Sequence, residues 1–293
     1  MSEKPAATDR SPKRGKLRIG NDWNAITIIA LSQSNPLKAV AELVENCIDA
    51  RATNVSITRG RSEGNHFLEI RDDGQGIPRD AEGRPDFRYV ATHICDSVKR
   101  RLKVEGVSGL QGEFGIGLLS FWTLGEELTL TSNGADNRAW QMVMRKSDPG
   151  YTVKAKRTLF AEPGTQLRIN RLLEGIRSLS GEKIQWYLAA ELRDRIRHSG
   201  VRITVIDEIA RKQYAVEPRQ YEGRLLHQLP VIRAARGDVY VELYINEPKE
   251  INRVALFRHC TRVLKTFPWL TNSRSHPGPH VICRATLTLP SST

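Results

Sequence analysis

Leu37 to Ala50, LKAVAELVENCIDA, is the stretch on which the reading of this 293-residue chain turns. Leu37, Val40, Ala41, Val44 and Ile48 recur at helical spacing and give it a core-facing stripe. At about 100° per residue, Glu42, Asn46 and Asp49 fall within roughly 60° of one another on the opposite side. One helix thus carries a carboxylate, an amide and a second carboxylate in a row. Alone, such a row is a solvated polar face, and only the residues downstream of it can give it another meaning.

Downstream, Val55 to Thr58 and Phe67 to Ile70 are short strand-like runs around Gly60 and Gly64, which predicts a hairpin. The second run leads into Asp72-Asp73-Gly74-Gln75-Gly76-Ile77-Pro78, a carboxylate at a strand end followed by a glycine turn where backbone can approach a ligand. Asp86 to Leu102 reads as a helix. Gly106 to Gly117, GVSGLQGEFGIG, is a glycine-dense loop that opens into the apolar helix LLSFWTL. Free amides at such a helix start favour an anion, which is phosphate-cradle chemistry. There is no GxxxxGK[ST] in the chain, and no clear strand leads into the loop, so neither a Walker loop nor a dinucleotide fingerprint is present.

Four strands are expected next, at Glu127 to Ser132, Ala139 to Met144, Tyr151 to Arg157 and Thr165 to Asn170, the last introduced by Pro163-Gly164. The fold class is therefore an α/β two-layer sandwich with a mixed or antiparallel sheet. Upstream, residues 1–19 read as a disordered basic tail, and Asn21 to Ser34 as a first helix broken at Asn35-Pro36. Beyond the sandwich, Glu182 to Arg197 reads as one helix between Gly181 and Gly200. Strands follow at Val201 to Ile206, Val239 to Ile245, Arg253 to Phe257 and Thr261 to Leu264. The C-terminal NSRSHPGPHVICRATLTLPSST reads as irregular, and a second domain truncated or altered there is the expectation. The divisions are 1–19, 20–172 and 173–293.

Four scattered cysteines without a CxxC pair, and no apolar N-terminal segment, predict free thiols in the cytoplasm. No apolar run approaches the ~20 residues that span a bilayer. The net charge of +12 is uneven. Residues 1–19 hold six Lys/Arg against two Asp/Glu, residues 20–170 nineteen of each, and residues 171–293 twenty against twelve. Basic ends of this kind make nucleic acid a candidate partner. The spacing of His259, Cys260, His280 and Cys283 fits no metal pattern.

In fixed order, Glu42-Leu43-Val44-Glu45-Asn46-Cys47-Ile48-Asp49-Ala50, Asp72 to Gly76, Gly112-Glu113-Phe114-Gly115-Ile116-Gly117 and Gly164-Thr165 resemble the motifs of the GHKL ATPase superfamily. That group comprises gyrase-type topoisomerase subunits, heat-shock chaperones, histidine kinases and MutL proteins. The likeness spans roughly residues 22–170 and implies the Bergerat ATP-binding fold with ATP and Mg²⁺ as cofactors. It implies Glu42 as the general base for water attacking the γ-phosphate and Asn46 as the Mg²⁺ ligand. Asp49 would hold the site and helix in place. Asp72 would accept from the adenine amino group, backed by Thr165, with Gly74, Gly76 and Ile77 beside the ring. Gly112, Glu113, Phe114, Gly115, Ile116 and Gly117 would form the phosphate box under a lid at residues 103–112, and Lys99 would touch a phosphate. The complete acidic box argues for hydrolysis over kinase transfer. The second domain would be a transducer, with Lys249 and Lys265 as candidates to reach the γ-phosphate. The resemblance also implies an ATP-dependent homodimer. Three uses stay open: a DNA-directed clamp, a chaperone-like ATPase and a non-catalytic nucleotide-sensing module.

Overall fold

A computed structural model describes residue 27 and residues 34–90, 117–133, 138–156, 163–220, 224–228, 232–234, 237–246, 253–258, 261–268 and 280–288. Helix α1 spans Pro36–Asp49 and starts as its sequence dictates. Asn35 is extended at the N-cap, its side-chain oxygen accepts the Leu37 N–H at 3.1 Å, and proline occupies the first turn, where no donor is missed. Its inner face buries Ala39, Val40, Leu43, Val44 and Cys47, a wider stripe than the heptad-like spacing alone defines.

Strands β1 (Asn54–Ser62) and β2 (Asn65–Asp72) form the expected antiparallel hairpin. Glu63 and Gly64 both have positive φ, 51° and 80°, the two-residue turn whose twist matches that of the flanking strands. Strands β3 (Gly125–Asn133), β4 (Ala139–Arg145), β5 (Tyr151–Lys156) and β6 (Thr165–Leu172) come close to their predicted places. Between β2 and β3, Gly117–Thr123 is a 3-10 helix and not the α-helix expected of LLSFWTL. Leu118, Leu119, Phe121 and Trp122 are all buried, so the segment has no polar face to present to water. Ser120 Oγ donates to the Ala39 carbonyl of α1 at 3.5 Å.

Helix α2 (Gly181–Glu191) and helix α3 (Arg193–Ser199) replace the single helix read between Gly181 and Gly200. The break at Leu192 coincides with buried polar groups that have distant partners. Glu191 accepts from Lys38 of α1 at 3.0 Å, and Arg193 Nε donates to the Arg219 carbonyl at 2.7 Å. Gly200, at φ 69°, ends α3 in the left-handed conformation.

Strands β7 (Arg202–Asp207) and β8 (Lys212–Ala215) complete an eight-stranded mixed sheet of order β5-β4-β3-β6-β2-β1-β7-β8. Strand β7 pairs parallel with β1, so this sheet runs past residue 172, where the sequence places a division. One buried ion pair fastens the junction. Arg59 Nη1 of β1 donates to both Asp207 oxygens, at 2.9 and 3.1 Å, and Asp207 also accepts from the Gly181 and Ala210 amides. Burial pushes the Asp207 carboxyl up, and those amides together with Arg59 outweigh it and hold the pKa below its ordinary 3.8.

A second sheet contains β9 (Arg224–Gln228), β10 (Ile232–Ala234), β11 (Gly237–Asn246), β12 (Arg253–Arg258), β13 (Thr261–Pro268) and β14 (His280–Thr288). The stretch read as irregular at the C-terminus thus contains a nine-residue strand. Strand β14 lies inside this sheet, antiparallel to β11 and parallel to β12. Its alternation of Val281, Cys283, Ala285 and Leu287 with Ile282, Arg284, Thr286 and Thr288 is a strand pattern masked by the Pro-Gly-Pro run before it. Strands β9 and β10 share the other edge of β11. Among the described residues no helix is long and apolar enough to cross a membrane.

Asp207→Ala leaves the Arg59 guanidinium buried without its counter-ion and should cost about 3–5 kcal/mol at neutral pH. Because the folded pKa lies below 3.8, the wild-type advantage should persist above that value and fade as pH falls through it. Urea denaturation of both proteins across pH checks this, and a loss below ~1 kcal/mol would contradict it.

Candidate functional site

Asp72 ends β2 on the buried side of the sheet, with 6% of its surface exposed. The ladder places it opposite Thr165 of β6, and Thr165 opposite Ser132 of β3. The three residues therefore form one row across three strands. The Gly74 N–H donates to Asp72 Oδ1 at 2.9 Å. Burial raises the Asp72 pKa above its ordinary value, against the opposing hydrogen bonds of Gly74, Cys47 and the Thr165 backbone. Cys47, on the inner face of α1, is the neighbour the sequence did not single out. Burial and then the Asp72 charge push its thiol well up, so it stays protonated beside the carboxylate.

The turn after Asp72 is fixed from three sides. Asp73, outside, accepts from the Thr53 amide and hydroxyl at 2.7 and 2.6 Å and from the Asn54 amide and side chain at 2.8 and 2.6 Å. Its slight burial is outweighed by these bonds, which depress its pKa. The two adjacent aspartates thus divide the work: Asp73 locks the loop and Asp72 faces inward. From α1, the Ala50 carbonyl accepts the Gln75 N–H at 2.9 Å. A Cβ at Gly74 would stand 2.7 Å from that same carbonyl oxygen. From β3 and the β5–β6 connection, Ser132 and Gly164 meet Gly76 and Ile77. Gly164 has φ 100°, and a Cβ there would overlap the Asp72 carbonyl. The Gly164-Thr165 pair is glycine first because its backbone lies directly on that of Asp72.

On α1, Glu42 is half-buried and Asn46, one turn on, is exposed on the same face. Asp49 makes a different contact from theirs. Its carboxylate pairs with Arg195 Nη2 of α3, and Arg195 Nε lies 3.6 Å from Glu45 Oε1. Asp49 therefore binds α1 to α3, a partner 146 residues away that no local motif could reveal. The 3-10 helix that begins at Gly117 is anchored under α1, so the glycine box ends at a fixed point. Lys99, Gly112, Glu113, Phe114, Gly115 and Ile116, the lid at residues 103–112 and Lys249 lie outside the described residues. So do most of the helices read at Asn21 to Ser34, where Thr27 is helical, and at Asp86 to Leu102, where residues 87–90 are. Lys265 falls in β13.

Residues 34–162 match the family model described as histidine kinase-, DNA gyrase B-, and HSP90-like ATPase. The stretch holds α1, the β1–β2 hairpin, Asp72 and Ser132, and ends just before Gly164-Thr165. The match covers less than half of the chain, and those residues are similar to the GHKL ATPase superfamily. Among curated proteins it is similar to the DNA mismatch repair protein MutL of Serratia proteamaculans (strain 568), 36% identical over 121 residues, covering 41% of this chain and 18% of that one. The MutL of Enterobacter sp. (strain 638) is 29% identical over 247 residues, 77% of this chain and 38% of the relative. That of Escherichia coli O1:K1 / APEC is 30% identical over 234 residues, 73% and 36%. The chain spans less than two-fifths of the length of these relatives.

Asp72→Asn should leave the fold intact at neutral pH, since it removes a charge that burial disfavours. With the folded pKa above 3.8, the carboxylate costs stability at higher pH and nothing below the unfolded pKa. The variant should therefore melt at or above the wild-type temperature at pH 7, and the two should converge on acidification. A variant clearly less stable than wild type at pH 7 would show that Asp72 holds the fold instead.

Proposed function

We propose that the chain is a Mg²⁺-dependent ATPase whose nucleotide cycle drives a conformational clamp. The observation that carries this reading is the buried Asp72 carboxylate, clasped by the Gly164-Thr165 turn at the foot of the helix that bears Glu42 and Asn46. A buried carboxylate held in fixed orientation accepts a hydrogen bond from the adenine amino group and rejects a base with a carbonyl there. Glu42 is the general base for the attacking water. Thr165 supports Asp72 from the neighbouring strand, and Ile77 closes the loop beside the ring.

The donor chemistry of the helix face fits Mg²⁺. Asn46 offers an exposed, uncharged amide oxygen, suited to a hard cation that takes most of its remaining ligands from phosphates and water. Magnesium, when bound, neutralises charge on the phosphates. The residues of the glycine box, from Gly112 to Gly117, supply amides to the same phosphates, with Lys99 beside them. Asp49 acts at one remove, through its pair with Arg195.

DNA is the partner this reading favours. The relatives are named as DNA mismatch repair proteins, and the chain's excess of positive charge lies in residues 1–19 and 171–293. The six-stranded sheet serves as the transducer-like part, and two copies close on each other when ATP is bound.

Phosphate release from Mg-ATP, measured for wild type and Glu42→Ala with and without duplex DNA, tests the proposal. Glu42→Ala should lose about a hundredfold or more of turnover while retaining ATP affinity. Duplex DNA should raise the wild-type rate, with an effect that falls steeply as salt rises. Equal turnover in the two proteins would overturn the catalytic assignment. A folded chain that binds no ATP would overturn the whole reading.

A further inference from the structure

Ser132 has no place in any of the sequence motifs, yet its hydroxyl lies where two of them meet. The side chain is 3% exposed at the end of β3. Its Oγ accepts the N–H of Ile77, in the turn after Asp72, at 3.2 Å. It donates to the carbonyl of Gly164, just before Thr165, at 3.3 Å. A Cβ on Gly76 would fall 2.9 Å from the same Oγ, so the turn is pressed against the hydroxyl. A hydroxyl offers one donor and two acceptor sites, and here one of each is spent on joining the two loops.

These two loops define the position of the Asp72 carboxylate. Gly164 lies on the Asp72 backbone, and Thr165 is opposite both Asp72 and Ser132 in the sheet. Gly76 and Ile77 come four and five residues after Asp72, and Gly74 donates to the carboxylate itself. We propose that Ser132 is a positioning residue of the adenine site: its hydroxyl pins the turn after Asp72 to the Gly164-Thr165 turn and thereby fixes the acceptor that reads the base's amino group. The inference rests on the nucleotide reading above. It adds a residue on β3 that contacts no phosphate and performs no chemistry, and that sets selectivity for the base.

An alanine at this position removes both hydrogen bonds at once and leaves the Ile77 amide and Gly164 carbonyl without their partner. The carboxylate is then held by fewer constraints, and the bond most sensitive to its orientation is the one to the 6-amino group. A ligand lacking only that group does not feel the change. The two ligands therefore separate positioning of Asp72 from general weakening of the fold, as the arms of a thermodynamic cycle do.

The experiment is calorimetric titration of wild type, Ser132→Ala and Ser132→Thr with a non-hydrolysable Mg-ATP analogue and with the matching triphosphate of purine riboside, which lacks the 6-amino group. Amide hydrogen exchange at Ile77 is followed in the same proteins without nucleotide. Ser132→Ala should bind the ATP analogue about fivefold to tenfold more weakly, the loss expected of a net hydrogen bond. Its affinity for the purine riboside compound should change less than twofold. Ile77 exchange should accelerate in Ser132→Ala, and Ser132→Thr, which keeps the hydroxyl, should recover both properties. Equal losses for the two ligands, or no loss for either, would overturn the proposal, as would Ile77 exchange unchanged by the alanine. Wild type that binds neither ligand would instead refute the nucleotide reading, while exchange at Ile77 would still decide whether the pin exists.

Discussion

A carboxylate buried at the end of a strand is costly, and the architecture around Asp72 is arranged to hold it there. Backbone amides of Gly74 and Thr165 and the Cys47 thiol oppose the desolvation that raises its pKa. Fixing these donors requires that α1, the turn after β2, and the start of β6 all converge on one point. That requirement explains residues that otherwise look unrelated. Gly164 is small because its backbone touches that of Asp72, and Gly74 is small because the end of α1 lies 2.7 Å from where its Cβ would be. Asp73 ties the same turn to Thr53 and Asn54 from the solvent side. In this site the glycines of DxGxG serve the protein's own close packing before they serve any ligand.

The helix that presents Glu42 and Asn46 is held just as firmly, from elements far along the chain. Lys38 pairs with Glu191 of α2, and Asp49 with Arg195 of α3. Asp207 of β7, paired with Arg59 of β1, accepts the Gly181 amide and so ties the start of α2 to the sheet. The polar row of α1 is thus carried on a helix whose inner face is packed and whose far end is tethered. The general base proposed at Glu42 needs such support, because misplacement by about an ångström is enough to cost much of the rate.

Local signals reveal the parts of this structure that depend on neighbours in sequence. The apolar stripe of α1, with Asn35 and Pro36 before it, specifies that helix, and the Glu63-Gly64 turn specifies the β1–β2 hairpin. The motif residues Asp72, Gly74, Gly76 and Thr165 lie together around the turn after β2. Contacts between distant residues are illegible. Nothing local announces that β7 joins β1 in parallel, or that Arg195 reaches Asp49. The break at Leu192 coincides with tertiary partners of Glu191 and Arg193, and a helix-period reading runs through it. Strand β14 escapes a local reading because a Pro-Gly-Pro run beside it resembles the start of an irregular tail. Ser132 is silent because a serine in a strand carries no motif until its two partners are known.

The central claim is that Asp72 is the acceptor for the amino group of a bound adenine. A crystal structure of the chain with Mg²⁺ and a non-hydrolysable ATP analogue tests it most directly. The account predicts the adenine 6-amino nitrogen within hydrogen-bonding distance of the Asp72 carboxylate, with Thr165 beside it and the phosphates running toward Asn46. A nucleotide bound with its base away from Asp72, or one that binds elsewhere on the chain, would contradict it.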